Sequence, residues 1–438
     1  MVETKYGKIE GVDRGEYVEY RGVPFAKPPV GDLRWKAPQR PEPFDGVYQA
    51  TEFQAKSVQE TGHNGPPYDK DFYDDPAYER PVSEDCLYLN IWAPKDAKNC
   101  PVAMWIHGGA FMGGSGGEKE FDGAAYCKRG VVFVSVQYRL GVLGFLAHPW
   151  LTEETGTSGN YGILDQVAAL DWIYENISAF GGDPENITVF GQSAGAMSTQ
   201  TLISSPLTGD RIKRAILQSG GSYGAGLHRD TPLSEQESYG EIFAEVLGVN
   251  SLAEMRAKST EEIIAATGPF MGKVLPIAKG LFLTPTMDGK VLTGGYYELM
   301  DEGKIKDIPY MVGSTKDDIL VTPEMKAPED SPLYSGSMAF SHKLEELGRS
   351  PAYVYYFTRD LPGNDFGAWH SAELWYMMGT MKRCWRPFEQ GDYDLSEQML
   401  DHWANFMKTG DPNGTGLPRW EPCSKENPFV MQLDISKE

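Results

Sequence analysis

The chain has 438 residues, 41% of them hydrophobic, and a formal net charge of −22 from 40 basic and 62 acidic side chains. That balance argues against a basic groove for nucleic acid and against binding to anionic membranes or polyanionic substrates. No apolar run approaches the roughly 18 residues of a membrane span. The start, Met1 to Lys8, has no apolar signal core. The five scattered cysteines form no Cys-x-x-Cys or Cys/His cluster, so the reading is free thiols in a reducing, cytoplasmic setting and no metal.

In chain order, residues 2–25 predict two or three short strands, with turns at Tyr6-Gly7 and Asp13-Arg-Gly15. Residues 26–80 are rich in Pro, Gly and charge and predict mostly loop. Cys86 to Trp92 and Val102 to Ile106 predict strands, and Phe121 to Arg129 a short helix. Val131 to Tyr138 is a continuous apolar run, as a strand covered on both faces requires. Asp165 to Phe180 predicts a long helix, ended by Gly181-Gly-Asp-Pro. A strand follows at 214–218. Residues 225–305 are expected to be mostly helical and charged, covering one edge of the sheet. Ile308 to Val312 and Ala352 to Phe357 are late strands, and Leu395 to Lys408 is a last helix. Strands alternating with helices indicate an α/β fold, a mostly parallel sheet with helices on both faces and a small N-terminal antiparallel sheet. With no repeat or convincing linker, residues 1–438 read as one catalytic domain.

The most informative stretch is Ile187-Thr-Val-Phe-Gly-Gln-Ser193-Ala-Gly195. A short apolar strand runs into a helix with almost no chain between, and Gly191 and Gly195 remove the Cβ atoms such a turn would clash. That is the context of a Gly-x-Ser-x-Gly nucleophile elbow. The bare pattern occurs three times, also around Ser115 and Ser222. Ser115 has no strand directly before it. Ser222 is followed by Tyr223-Gly-Ala-Gly, which does not start a helix. Context therefore selects Ser193.

A serine hydroxyl needs a base to take its proton and a third group to orient that base. In the α/β-hydrolase order the acid and then the histidine follow the serine, on loops after later strands. Three histidines come after the strand at 308–312: His342, His370 and His402. His342 lies in a charged helical stretch and His402 inside a helix. His370 sits in a loop just after the strand at 352–357. The strand at 308–312 runs into Gly313-Ser-Thr-Lys-Asp317-Asp318, and spacing alone does not choose between the two aspartates. Trp105-Ile-His-Gly108-Gly109-Ala110-Phe111, directly after a strand, is a loop whose small residues let backbone amides approach a developing oxyanion, and Ala194 supplies another N–H. No phosphate-binding glycine motif follows a strand here, and no cofactor is implied.

Longer motifs extend the pattern: Arg21-Gly-Val-Pro-Phe-Ala-Lys-Pro-Pro-Val-Gly-Asp-Leu-Arg34-Trp, Ser83-Glu-Asp-Cys-Leu-Tyr-Leu-Asn90, His107-Gly-Gly-Ala-Phe, Tyr138-Arg-Leu-Gly, Gly159-Asn-Tyr-Gly-Ile-Leu-Asp-Gln166, the run from Phe180 to Gly195, His370-Ser-Ala-Glu-Leu374 and Phe406-Met-Lys-Thr-Gly-Asp-Pro-Asn413. Nearly end to end, the chain resembles the type B carboxylesterases, the cholinesterase-like branch of the α/β-hydrolases, in a short bacterial-type form. The resemblance implies a serine carboxylic-ester hydrolase acting through an acyl-enzyme on small to medium esters. It implies Ser193 as nucleophile, His370 as base and Asp318 as acid, with oxyanion donors at Gly109, Ala110 and Ala194. It also implies structural ion pairs Arg34–Glu84 and Arg139–Asp165. Phe111, Gln192, Phe282 and Trp375 are the candidate substrate contacts.

Three departures carry expectations of their own. Relatives often bridge the cysteine matching Cys86 to one upstream, but no cysteine precedes it here, so residues 51–80 must be held otherwise or be mobile. Only 52 positions separate Asp318 from His370 (370 − 318), which points to a more open site than a deep gorge. Ala110 replaces the last glycine of the usual triplet, so its methyl group trims the alcohol side of the pocket. A feruloyl or aryl-ester hydrolase is the narrower alternative. A non-catalytic cholinesterase-like interaction protein is the alternative of another class, disfavoured because every triad position holds a competent residue.

Overall fold

Period-two alternation along the strands sorts the chain into two cores. Val102, Met104 and Ile106 enter one core while Ala103 and Trp105 enter the other, and Val132, Val134 and Val136 part in the same way from Val131 and Phe133. Successive side chains of a strand face opposite sides of its sheet, so this split places an apolar layer on each face. The computed structural model describes residues 1–60, 65–225, 227 and 230–435.

The sheet between those layers has ten strands: β1 Val12–Asp13, β2 Tyr17–Pro24, β3 Tyr88–Pro94, β4 Cys100–Ile106, β5 Val132–Val136, β6 Gly182–Gln192, β7 Ile212–Gln218, β8 Tyr310–Thr315, β9 Tyr353–Phe357 and β10 Val430–Leu433. Their order is β10-β9-β8-β7-β6-β4-β5-β3-β2-β1. From β10 to β5 all neighbours are parallel, and the last three pairings are antiparallel. A small N-terminal sheet pairs Val2–Thr4 antiparallel to Gly7–Glu10 and adds Val47–Gln49 parallel.

Helices cover both faces. Helix α1 is Tyr68–Phe72, α2 Tyr161–Asn176, α3 Ala194–Ser204, α4 Leu233–Leu247, α5 Thr260–Val274 and α6 Gln390–Thr409. Buried residues of α2 to α5 share the core of Val102 and Met104, whereas Met399, Trp403 and Phe406 of α6 share that of Trp105. Strand β6 and helix α3 run into each other at Ser193, between the central parallel strands β4 and β7.

Among the described residues of 225–305, α4 and α5 pack on a face of the sheet and not along the expected edge. The sheet's edges are β1 and β10. Tyr239, Phe243, Ile263 and Phe270 pack into the α2–α3 core. Gly240 lies so close to the main chain that a Cβ there would sit 1.9 Å from the Ala147 carbonyl oxygen. Arg34 fixes this layer from beneath: its Nη1 donates to the carbonyls of Arg256 and Lys258 at 2.9 and 2.6 Å, while its Nε and Nη2 grip Glu84 at 2.7 and 2.5 Å. The apolar content of this segment decided its place, and that place is on a face.

Cys86 is free and buried, and burial pushes its thiol up to about 12. The preceding segment is instead held by an ion pair. The Asp71 carboxylate on α1 accepts from Arg386 Nε at 3.0 Å, Arg386 Nη2 at 2.8 Å and Trp385 Nε1 at 2.5 Å, with both charged side chains at 0% exposure. Gln59 adds a reciprocal clasp on Gly114, giving and taking one hydrogen bond at 2.9 Å each.

Candidate active site

The elbow is a close approach of backbones. A Cβ on Gly195 would lie 2.0 Å from the Ile106 carbonyl oxygen, and one on Gly191 would lie 2.5 Å from the Gly195 backbone. Only glycine lets β6 turn into α3 this tightly against β4. Ser193 takes φ 58° and ψ −125°, and its N–H donates to the Gln218 carbonyl at 2.8 Å. From Ile187 to Ser205 it is the one residue that is not buried. Its hydroxyl is thus offered at the head of α3, where Ala194 N–H precedes the first intrahelical acceptor.

Backbone strain gathers around this point. Of the nine described non-glycine residues with positive φ, Ala110, Phe111, Ser193, Ser219, Leu320 and Ser371 belong to the segments that surround Ser193 and His370. Such conformations cost of order 1–3 kcal/mol each and persist where the surroundings over-determine them. In the 107–114 loop the turn is closed by Met112 and Gly113 N–H groups donating to the Gly109 carbonyl at 2.9 and 3.0 Å. His107 stacks on Tyr138 at 4.5 Å and donates from Nδ1 to the Gly108 carbonyl at 2.8 Å. Burial lowers its pKa to about 4, so it is a neutral structural imidazole.

His370 Nδ1 lies 2.5 Å from Asp318 Oδ1. The Asp318 carboxylate also accepts from Thr315 N–H at 3.0 Å and Ile319 N–H at 2.8 Å. On the other side of the ring, His370 Nε2 faces the Gln192 amide nitrogen at 3.2 Å. An Nδ1–H tautomer satisfies both contacts, giving a proton to Asp318 and keeping the Nε2 lone pair on the cavity side. Asp317 points elsewhere: its carboxylate accepts from Ala368 N–H at 2.8 Å, and its own N–H donates to the Ala368 carbonyl at 3.0 Å. Neighbouring residues of an extended segment face opposite sides, and it is Asp318 that faces the histidine.

Ser193, His370, Gln192, Gly109 and Ala110 line one cavity of about 1170 Å³. Its other walls include Lys56, Val58 to Glu60, Tyr68 to Lys70 and Phe72 to Asp74, then Met112 to Gly114, Glu118, Glu120 and Phe121, and Ile263, Ile264 and Thr267 of α5. The short connection from Asp318 to His370 therefore does not leave the site bare, because α1 and α5 wall it instead. Tyr68 on α1 donates to the His370 carbonyl at 3.3 Å. Three of the four aromatic and polar candidates from the sequence divide differently from Gln192. Phe111 packs on Phe145 at 4.8 Å, Phe282 on Phe270 and Tyr239 at 5.7 Å each, and Trp375 on Phe72 at 5.4 Å. All three are buried in the cores and none lines the cavity. Large apolar rings gain more from close packing than from a wet wall.

The sequence profile of the carboxylesterase family matches residues 1–344 and 326–438. The chain belongs to the carboxylesterase family. It is 32% identical over 482 aligned residues to the para-nitrobenzyl esterase of Bacillus subtilis (strain 168), covering 99% of this chain and 94% of that protein. It is 39% identical over 322 residues to the fumonisin B1 esterase of Sphingopyxis macrogoltabida, covering 72% of this chain and 55% of that one. A solved para-nitrobenzyl esterase structure superposes with a TM-score of 0.84 at 31% identity, over 99% of this chain and 95% of the other. This carboxylesterase is accordingly a serine carboxylic-ester hydrolase with the α/β-hydrolase fold.

The electrostatics of the carboxylesterase centre on buried His370. Burial alone would lower its pKa, but Asp318 and then Glu373 outweigh it, and the net direction is up. Burial likewise opposes the charge on Asp318, yet His370 and the Thr315 amide hold its pKa below the usual carboxylate value. Glu373 is the residue that sequence reasoning passed over, although it stands three positions after His370 in the quoted motif. It is fully buried, and burial reinforced by Asp318 raises it to about 7. Its Oε1 accepts from Gln218 Nε2 at 3.4 Å, and its Oε2 has no partner among the described residues.

Proposed function

We propose that Ser193 is the nucleophile, His370 the general base and Asp318 the orienting acid of ester hydrolysis. The observation that carries this reading is the 2.5 Å contact of His370 Nδ1 with Asp318, on the wall that also presents the strained, partly exposed Ser193. His370 Nε2 takes the Ser193 proton as Oγ attacks the ester carbonyl carbon, and Asp318 stabilises the imidazolium that forms. The N–H groups of Gly109, Ala110 and Ala194 receive the charge that develops on the carbonyl oxygen. His370 returns the proton to the leaving alkoxide, leaving an acyl-enzyme. A water activated by the same base then releases the acid and restores Ser193. Gln192, now on His370 Nε2, yields its place to the Ser193 hydroxyl when substrate binds.

The cavity of about 1170 Å³, at the upper end for small-molecule sites, has room for small and medium esters. Tyr68, Phe72, Tyr73 and Phe121 in its lining favour aryl esters, including feruloyl esters, as the second reading. The charge of −22 speaks against nucleic acid as a partner. Five free cysteines support a reducing, cytoplasmic setting. No helix among the described residues is long and apolar enough to cross a membrane. A fluorophosphonate should label the protein, with the adduct mapped by mass spectrometry to the peptide holding Ser193. An unlabelled, folded protein would overturn the reading in favour of a non-catalytic interaction protein. A panel of p-nitrophenyl esters from acetate to decanoate, with methyl ferulate beside it, separates the alkyl from the aryl reading.

A further inference from the structure

The cavity wall carries a pair of buried carboxyl groups apart from the residues around His370. Glu118 and Glu120 both line the cavity. Glu118 Oε1 accepts from Ser115 N–H at 3.0 Å and from the Tyr73 hydroxyl at 3.4 Å. Glu120 is 1% exposed, and its Oε2 has no hydrogen-bond partner among the described residues. The lysines nearby are engaged: Lys119 pairs with Asp74, and Lys56 Nζ pairs with Glu79 at 2.9 Å. Burial raises Glu118 to about 7, and burial together with the Glu118 charge holds Glu120 well above the usual carboxylate range. Burial and the proximity of the two carboxyls oppose ionisation of both, and a cation placed beside them would relieve that cost.

A buried carboxyl oxygen without a donor is costly and calls for one. We propose that Glu118 and Glu120 form an ammonium-binding subsite, so that this carboxylesterase favours esters carrying a primary amine. The inference rests on the reading that the cavity beside Ser193 receives the ester. A primary ammonium brings three N–H donors and a charge, and can bond both carboxyls at once. A quaternary ammonium has no donor for the orphaned oxygen. An alcohol has one donor and no charge to be strengthened by the low-dielectric wall.

The test uses inhibition of p-nitrophenyl butyrate hydrolysis by n-hexylammonium, n-hexanol and tetramethylammonium, with each inhibition constant compared within one protein. In the wild type, hexylammonium should bind about tenfold to a hundredfold more tightly than hexanol, the range of a charge-assisted hydrogen bond, and tetramethylammonium should be weak. Glu120→Gln should collapse the hexylammonium-to-hexanol ratio towards one, and Glu118→Gln provides the same reading if the first variant does not fold. A wild-type ratio near one overturns the subsite, whatever the variants do. A ratio that survives both substitutions, or tetramethylammonium as potent as hexylammonium, overturns it too by pointing to a diffuse negative field. If p-nitrophenyl butyrate is not hydrolysed at all, the esterase reading fails first, and the same ligand ratio measured by titration calorimetry still decides the subsite.

Discussion

The elbow and the cavity-lining residues around 56–60 and 68–79 border one cavity and are held in opposite ways. The elbow is fixed by neighbours: Gly191, Gly195 and the Ile106 carbonyl pack so closely that no side chain fits between them. The facing segment depends on Asp71 reaching Arg386, 315 residues further along the chain. A turn locked by backbone packing tolerates side-chain changes elsewhere, whereas a wall whose main tie is a buried ion pair loosens when either partner is lost. The chemistry sits on the first kind of element and substrate contact on the second.

The largest contrast comes from the nucleophile. Ser193→Ala should lower kcat by about 10⁶-fold, the loss seen when a catalytic serine is removed elsewhere, and should abolish fluorophosphonate labelling. Ser115→Ala and Ser222→Ala should retain most activity, because both serines are buried and neither lines the cavity. An adduct mapped to Ser115 or Ser222 would move the chemistry off the elbow. Next come the two aspartates. Asp318→Asn should cost about 10⁴-fold in kcat, as expected when a triad aspartate loses its charge. Asp317→Asn should cost little, since its carboxylate caps the Ala368 amide. The reverse ranking, measured on one ester with circular dichroism to confirm folding, would place the acid one residue earlier.

The wall should respond differently. Removing one partner of a buried ion pair costs about 3–5 kcal/mol. Asp71→Ala should therefore destabilise by that order in thermal or denaturant unfolding. At a temperature where the variant remains folded, KM should rise by a larger factor than kcat falls, because α1 lines the cavity and hydrogen-bonds His370 through its backbone carbonyl and not its ring. A collapse of kcat at unchanged KM would show that α1 positions the chemistry and does not only contain the substrate.

The same contrast explains what the sequence made legible. Ser193 was readable because a strand, two glycines and a helix lie within a dozen residues. His370 was readable from its place after a strand. Asp318 needed the family register, since composition and spacing treat Asp317 equally; only the extended backbone gives one of them to the histidine. Phe111, Phe282 and Trp375 misled because a ring's residue type does not say whether it faces a cavity or a core. Packing of Phe282 against Tyr239 and Phe270 is a tertiary outcome. Asp71 and Arg386 were invisible for the same reason: nothing near either residue announces its partner. The helical segment 225–305 was recognised as helical in part, but which surface it covers depended on where its apolar residues could be buried.

The smallest predicted effect concerns Glu373, and it separates an electrostatic role from a structural one. Hydrolysis needs neutral His370, so kcat/KM rises with pH and is lost as pH falls through the histidine's pKa. That pKa is raised above the ordinary 6.5: burial would lower it, but Asp318 and Glu373 favour the imidazolium and prevail. Glu373→Gln removes one of those negative charges. The imidazolium is then less favoured, His370 loses its proton at lower pH, and the acid limb should move to lower pH. Glu373 is itself raised to about 7 and is partly protonated along that limb, so the displacement should stay within about one unit. Asp71→Ala, in the facing wall, should leave the midpoint where it is while raising KM. The two profiles should be recorded on one ester whose chemistry limits the rate. An unmoved or raised midpoint in Glu373→Gln would mean that the glutamate does not carry charge beside His370 at working pH, and that its place between Gln218 and the triad is one of packing alone.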